Sequence, residues 1–268
     1  MYSNKIDNIP WVEKYRPKKV KNIISQKEVI NSLDNVIKNK NLPHLLFHGP
    51  PGIGKTTTAL ALCYQLFGDI FDNRVLELNA SDDRGIEIVR KKIKTFATLS
   101  VNTLQQNNQY PPFKIIILDE VDNMTQDAQA ALRRIMEKYC HITRFILICN
   151  YITHIIEPIN SRCVKFRFKH MDSNLIDEYL NEICSLENYE IDNKTISTIT
   201  YVSNGDLRRA IMILQVGIML YGTSLSKSHV LDIAGNIQNN LIEDIFNQCQ
   251  QKNLNNASIL LNKTLSYG

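Results

Sequence analysis

The segment Gly49-Pro50-Pro51-Gly52-Ile53-Gly54-Lys55-Thr56 constrains this chain more than any other, because it follows the apolar run Leu45-Leu46-Phe47 and opens into a helical pattern. A glycine-rich turn ending in Lys-Thr between a strand and a helix is a phosphate-binding loop. Glycines let backbone N–H groups approach phosphate oxygens, and the first turn of the following helix carries partial positive charge. The nucleotide-contacting stretch is expected to run through Gly49, Pro50, Pro51, Gly52, Ile53, Gly54, Lys55, Thr56 and Thr57. Lys55 reaches the outer phosphates, while the Thr56 hydroxyl suits a magnesium ion that also needs a carboxylate from another strand end.

That carboxylate appears at Ile115-Ile116-Ile117-Leu118-Asp119-Glu120, an apolar run ending in two acids. Such a run reads as a buried parallel strand whose carboxyl end meets the ligand. Asp119 is the expected magnesium partner and Glu120 the candidate general base for the attacking water. An acidic pair of this kind, met alone, also fits a solvated strand end; the upstream loop favours hydrolysis.

With 268 residues, 44% of them hydrophobic, the chain can bury one medium domain and a smaller one. The balance of 31 Lys and Arg against 27 Asp and Glu, a net +4, is too mild to announce a nucleic-acid partner, so local clustering must carry that argument. Cys63, Cys140, Cys149, Cys163, Cys184 and Cys249 show no C-x-x-C spacing and mostly sit in apolar runs, which reads as reduced core thiols without zinc or disulfides. The N-terminus lacks a signal-peptide pattern and no window approaches eighteen apolar residues, so an intracellular protein without a membrane partner is expected.

Strand-like runs at 45–48, 75–78, 115–118, 145–149 and 164–168 alternate with helical patterns, which predicts an α/β fold with a parallel sheet and helices on both faces. Ser100 to Pro112, rich in Asn and Gln, reads as a solvent loop. Beyond Lys169 only helical spacing recurs, as at Ile196, Ile199 and Val202. The expected organisation is a domain over 1–169, a helical domain over 170–235, and two further helical segments, 241–250 and 254–265, that begin an incomplete helical region over 236–268. The helix predicted over Ile86 to Leu99 sets Arg90 and Lys94 four apart, with Arg84 just before it; this ridge suits either a solvated face or a phosphate-tracking surface. The helix predicted from a capping Thr125 to Tyr139 buries Ala128, Ala131, Leu132 and Ile135 and leaves one or both of Arg133 and Arg134 exposed.

On these residues the chain resembles the small subunits of eukaryotic replication factor C, clamp loaders of the AAA+ superfamily, over essentially its whole length. The resemblance rests on Pro10-Trp11-Val12-Glu13-Lys14-Tyr15-Arg16-Pro17, Leu118 to Thr125 with Ala130-Ala131-Leu132-Arg133-Arg134, Ile148-Cys149-Asn150-Tyr151, Ile155-Ile156-Glu157-Pro158, Ser161-Arg162-Cys163 and Gly205 to Ala210. Pro111 to Lys114 and Cys149 to Tyr151 are most similar to the member called four in the human complex and two in budding yeast. The resemblance implies an AAA+ P-loop fold with a five-stranded parallel αβα sandwich, a helical lid and the start of a collar. It further implies ATP and Mg2+, a nuclear hetero-pentamer with other replication factor C subunits, the sliding clamp (PCNA), and primer-template DNA held without sequence reading.

Residue by residue, Asn150 matches the first sensor, though by itself it reads as a strand-end turn residue, and Arg208 matches the second, though by itself it reads as a surface arginine. Val12, Arg16 and Ile24 match positions around the base. Arg162 matches an arginine that acts in trans on the neighbouring subunit's ATP, with Arg133 in support; from the residues alone, Arg162 is a strand-initiating arginine. Arg84, Arg90 and Lys94 match DNA-backbone contacts, while His154 stands where the family has Lys or Arg, a departure from that phosphate contact. The expected function is ATP-driven opening and loading of the clamp in DNA replication and repair. Two rivals are a nucleotide-holding scaffold, against which Lys55, Asp119 and Glu120 argue, and another AAA+ DNA motor, against which Ser161-Arg162-Cys163 and the N-terminal box argue.

Overall fold

The computed structural model describes residues 9–24, 26–39, 41–81, 86–98, 110–235, 239–251 and 253–265. They divide into two compact units, one spanning residues 16–170 and the other formed by the N-terminal segment up to Tyr15 together with residues from Met171 onward. The one-turn helix α1 (Trp11–Lys14) opens the described chain.

In the first unit, α2 (Lys27–Asn39) precedes β1 (Leu45–His48), and α3 (Lys55–Phe67) and α4 (Phe71–Arg74) lead to β2 (Val75–Asn79). Then come α5 (Ile86–Thr98), β3 (Lys114–Asp119), α6 (Gln126–Tyr139), β4 (Thr143–Cys149), α7 (Glu157–Asn160) and β5 (Val164–Arg167). The strands form one parallel sheet in the order β2-β3-β4-β1-β5.

Period-two alternation explains why the central strands are apolar throughout. Leu45, Phe47, Ile115, Ile117, Ile146 and Ile148 pack into one core with Val29, Leu33 and residues 59–63 of α3. Leu46, Ile116, Leu118, Phe145 and Leu147 point the other way, into a core with Ile93 of α5 and with Leu132 and Met136 of α6. Both faces of the sheet are thus covered, as a parallel sheet requires. Only β5, an edge strand, is largely exposed. The strand boundaries differ slightly from expectation: β4 begins at Thr143, β2 extends to Asn79 and β5 ends at Arg167.

The second unit contains α8 (Ser173–Leu186), α9 (Asn193–Ser203), α10 (Leu207–Tyr221) and α11 (Lys227–Ile233), followed by α12 (Asn239–Gln250) and α13 (Leu254–Leu265), which pack on each other. Its core gathers Ile176, Leu180, Ile183, Ile196, Ile199, Val202, Ala210, Ile213 and Leu214. The Asp206 side chain caps α10 by accepting a bond from Arg209 N at 3.0 Å.

One boundary differs from the sequence division. Trp11, assigned by sequence to the 1–169 domain, is buried in the helical unit's core, and its backbone N–H donates to Gln215 Oε1 at 3.0 Å. Lys14 Nζ and Tyr15 Oη both donate to Glu187 Oε1, at 2.6 and 2.5 Å, and Tyr179 Oη donates to the Tyr15 carbonyl at 2.7 Å. An indole and three side-chain anchors hold this segment on the helical unit, which a linear change of pattern near residue 169 does not register. The cysteine expectation also divides: all six are free, and Cys63, Cys149, Cys163 and Cys184 are buried while Cys140 and Cys249 are exposed.

Candidate functional site: a phosphate-binding loop beside an acidic strand end

β1 lies beside β4, and β4 beside β3, so the residues after these three strands meet along one edge of the sheet. The loop after β1 holds Gly49, Gly52 and Gly54 at φ of 145°, 70° and 89°. Gly49 has a second reason to lack a side chain, since a Cβ there would stand 2.3 Å from the Phe168 carbonyl oxygen. Gly54 starts α3, and its carbonyl accepts from both the N–H and the hydroxyl of Thr58, each at 2.8 Å. A loop wrapped on a helix start faces the N–H groups that an α-helix leaves over at its first turn, the general arrangement that binds anions. The Ile53 side chain is fully buried in the core, so it faces the loop only through its backbone. Pro51 is exposed, and Thr56 and Thr57 are half-buried.

Lys55 is buried, with its ammonium donating to the carbonyls of Gly49 (2.7 Å) and Pro50 (2.6 Å) and to Asn150 Oδ1 (2.9 Å). The lysine therefore joins the loop after β1 to the residue that follows β4. Thr56 Oγ1 donates to Asp119 Oδ2 at 2.5 Å, while Asp119 Oδ1 accepts from the Glu120 N–H at 2.8 Å. Glu120 sits at φ 55°, in the left-handed region, and its Oε2 accepts from Asn123 Nδ2 at 3.0 Å.

Two residues that hold this edge were not singled out from sequence. Asp122 Oδ2 accepts from the N–H groups of Asn150 (3.0 Å) and Tyr151 (3.1 Å), fixing the backbone that carries Asn150. Buried Gln129 donates to the carbonyls of Met124 (3.2 Å) and His154 (2.9 Å) and accepts from Ile156 N at 2.9 Å. The first lies inside the quoted box from Leu118 to Thr125; the second is a polar residue on the apolar face of α6, where a buried amide needs partners.

Electrostatics separate the reactive groups from inert ones. Burial, with Asp122 nearby, pushes the Cys149 thiol up to about 12, so it contributes no thiolate beside the loop. Burial, followed by the positive charges of Arg167, Lys165 and Lys55, lowers the pKa of His48, which favours its neutral form before the loop. Among the described residues, no cluster of three or more His, Cys, Asp and Glu could hold a metal on its own.

Each of the other described sequence-derived residues has its place within its own unit. Arg16 and Ile24 are half-buried in the segment before α2. Val12, half-buried, packs on the helical unit's core, and Arg208 is exposed on α10. On α6, Thr125 caps as expected, accepting from Ala128 N at 3.3 Å; Ala128 and Leu132 are buried, and Arg134 is exposed. Arg162, exposed, pairs with Glu137 Oε1 at 2.5 Å, and Arg133 Nε donates to the same oxygen at 3.0 Å. Lys94 is exposed on α5; Arg84, the Arg90 side chain and residues 100–109 of the Asn- and Gln-rich loop lie outside the described residues.

A family model described as "ATPase family associated with various cellular activities (AAA)" matches residues 45–171, and one described as "RCF1/5-like, AAA+ ATPase lid domain" matches residues 178–219. Replication factor C subunit 2 of Oryza sativa is 48% identical over 97% of this chain and 77% of its own length. Replication factor C subunit 4 of Homo sapiens is 46% identical over 99% and 74%, respectively. The chain belongs to the replication factor C small-subunit family. Replication factor C subunit 2 of Saccharomyces cerevisiae, at 45% identity over 97% of the chain and 76% of its own length, agrees with the finer resemblance to members named two or four. A solved structure of the Thermotoga maritima RuvB branch-migration motor has a TM-score of 0.61 at 18% identity, covering 81% of this chain and 71% of its own, and supports the AAA+ fold. The chain is thus an AAA+ ATPase of the replication factor C family with a helical lid.

Proposed function

We propose that this chain is an ATP-hydrolysing subunit of a nuclear, pentameric clamp loader that opens a ring-shaped sliding clamp (PCNA) and places it on primer-template DNA during replication and repair. The observation that carries the reading is the convergence of Lys55, Thr56, Asp119 and Asn150 on one sheet edge in a replication factor C chain.

The Thr56 hydroxyl and Asp119 carboxylate are hard oxygen donors 2.5 Å apart, a pair that fits Mg2+ with the remaining positions left to phosphate oxygens and water. Magnesium supplies charge neutralisation on the phosphates. Lys55 exchanges its carbonyl acceptors for phosphate oxygens, Glu120 orients and deprotonates the attacking water, and the neutral amide of Asn150 aligns it without adding charge. Arg162 supplies positive charge to the neighbouring subunit's ATP, with Arg133 in support, and Arg208 senses the terminal phosphate. Val12, Arg16 and Ile24 serve the base. Arg84, Arg90 and Lys94 track the DNA backbone through phosphate contacts, which position without reading sequence.

The test is steady-state ATP turnover by the chain assembled with its partner subunits, with and without clamp and primed DNA. Stimulation by both together supports the reading; turnover indifferent to both would return the scaffold or another AAA+ motor.

A further inference from the structure

We infer that Glu137 is the positioning residue for Arg162, holding its guanidinium in the orientation that a neighbouring subunit's nucleotide site receives. The inference rests on the reading of Arg162 as trans-acting. Glu137 lies near the C-terminal end of α6, and a single oxygen, Oε1, forms an ion pair with Arg162 Nη2 at 2.5 Å and accepts a hydrogen bond from Arg133 Nε at 3.0 Å. Arg162 Nη1 donates to the Pro158 carbonyl of α7 at 2.7 Å. A carboxylate on α6 and a carbonyl on α7 thus hold the two ends of one guanidinium.

This arrangement is poorly explained as a stabilising contact. The side chains of Arg133, Glu137 and Arg162 retain 41%, 37% and 39% of their exposure, and ion pairs that open to solvent contribute little to folding. Its effect is on conformation. A free arginine samples many rotamers, and two guanidinium groups drawn to the same edge repel each other without a carboxylate between them. The hydrogen bond from Arg133, together with the positive charges of Arg133 and Arg162, lowers the pKa of Glu137, which favours its ionised form. The remaining N–H groups of Arg162 are left for an external anion, as a trans-acting arginine requires. Helical spacing pairs Glu137 with Arg133, four residues earlier; only the fold brings Arg162 to the same oxygen.

The test is a double-mutant cycle in the assembled complex, measuring kcat and the KM for ATP with clamp and primed DNA present. Glu137→Ala is expected to lower kcat roughly tenfold to a hundredfold, the scale of a ~1 Å misplacement, with KM nearly unchanged. Glu137→Gln, which keeps an acceptor oxygen, is expected to fall between parent and Glu137→Ala. In the Arg162→Ala background, Glu137→Ala is expected to add nothing, since its effect passes through the arginine. Loss on Arg162→Ala with full activity of both Glu137 variants would overturn the positioning role and leave the reading of Arg162 intact. An equal loss from Glu137→Ala in both backgrounds would also overturn it. Indifference to Arg162→Ala would overturn the trans-acting reading, and the role of Glu137 with it.

Discussion

Thr56 and Asp119, 63 residues apart in sequence, stand with hydroxyl and carboxylate 2.5 Å apart at the carboxyl edge of the sheet. One arrives on the first turn of α3 and the other at the end of β3. Thr56→Val keeps the β-branched shape and removes the hydroxyl. The magnesium concentration for half-maximal turnover is expected to rise by about tenfold or more, the scale of losing one contributor to a metal site. A magnesium titration at fixed ATP checks this; an unchanged midpoint would remove Thr56 from the metal site.

Asp122 supports the site without being expected to touch the substrate. Asp122→Ala removes the acceptor of two backbone N–H groups, those of Asn150 and Tyr151. Bonds to a charged acceptor contribute about 1.5–3 kcal/mol each, so denaturant unfolding is expected to report a loss of about 2 kcal/mol or more. Turnover is expected to fall with it, because Asn150 loses its fixed backbone. Parental stability and kcat together would contradict this.

Two glycines of the loop separate space from backbone conformation. Gly49→Ala meets both a positive φ and the Phe168 carbonyl 2.3 Å away, whereas Gly54→Ala meets nothing within 4 Å and bears only its φ of 89°. Gly54→Ala is expected to cost about 1–2 kcal/mol, and Gly49→Ala clearly more, as a lower melting temperature for the alanine at 49. The reverse order would refute the close approach of loop and Phe168.

Acid should weaken the sheet unit through His44. Burial, with the charge of Arg144 second, lowers its pKa to about 4, and its Nδ1 accepts from the Phe145 N–H at 3.1 Å. The folded pKa is below the unfolded value, near 6.5, so the unfolded chain binds more protons between the two. The contribution is fully present above about pH 6.5 and is lost as pH falls toward 4. His44→Gln, unable to take the proton, is expected to flatten this part of a stability-versus-pH curve; an unaltered slope would exclude His44.

Much of the site was legible because it depends on local order. A phosphate-binding loop needs its residues consecutive, and a buried strand ending in acids is a single run, so Gly49 to Thr56 and Ile115 to Glu120 could be read in place. The sheet followed from alternation: Leu46 and Phe47 face opposite cores because adjacent strand residues must. What escaped depends on contacts across the chain. Nothing near Trp11 specifies that its indole packs among helices over 160 residues later, and nothing near Asp122 specifies that it holds the N–H of Asn150. Glu137 was hidden for the same reason, its second partner being reached only through α7.

An ATPase completed by its neighbours is best distinguished by ATP turnover per site, compared for the chain alone and for the chain assembled with its partners, clamp and primed DNA. A slow isolated chain is expected, with a rise of about 10³-fold or more on assembly, the contribution of an arginine supplied in trans. Equal turnover in both states would contradict it.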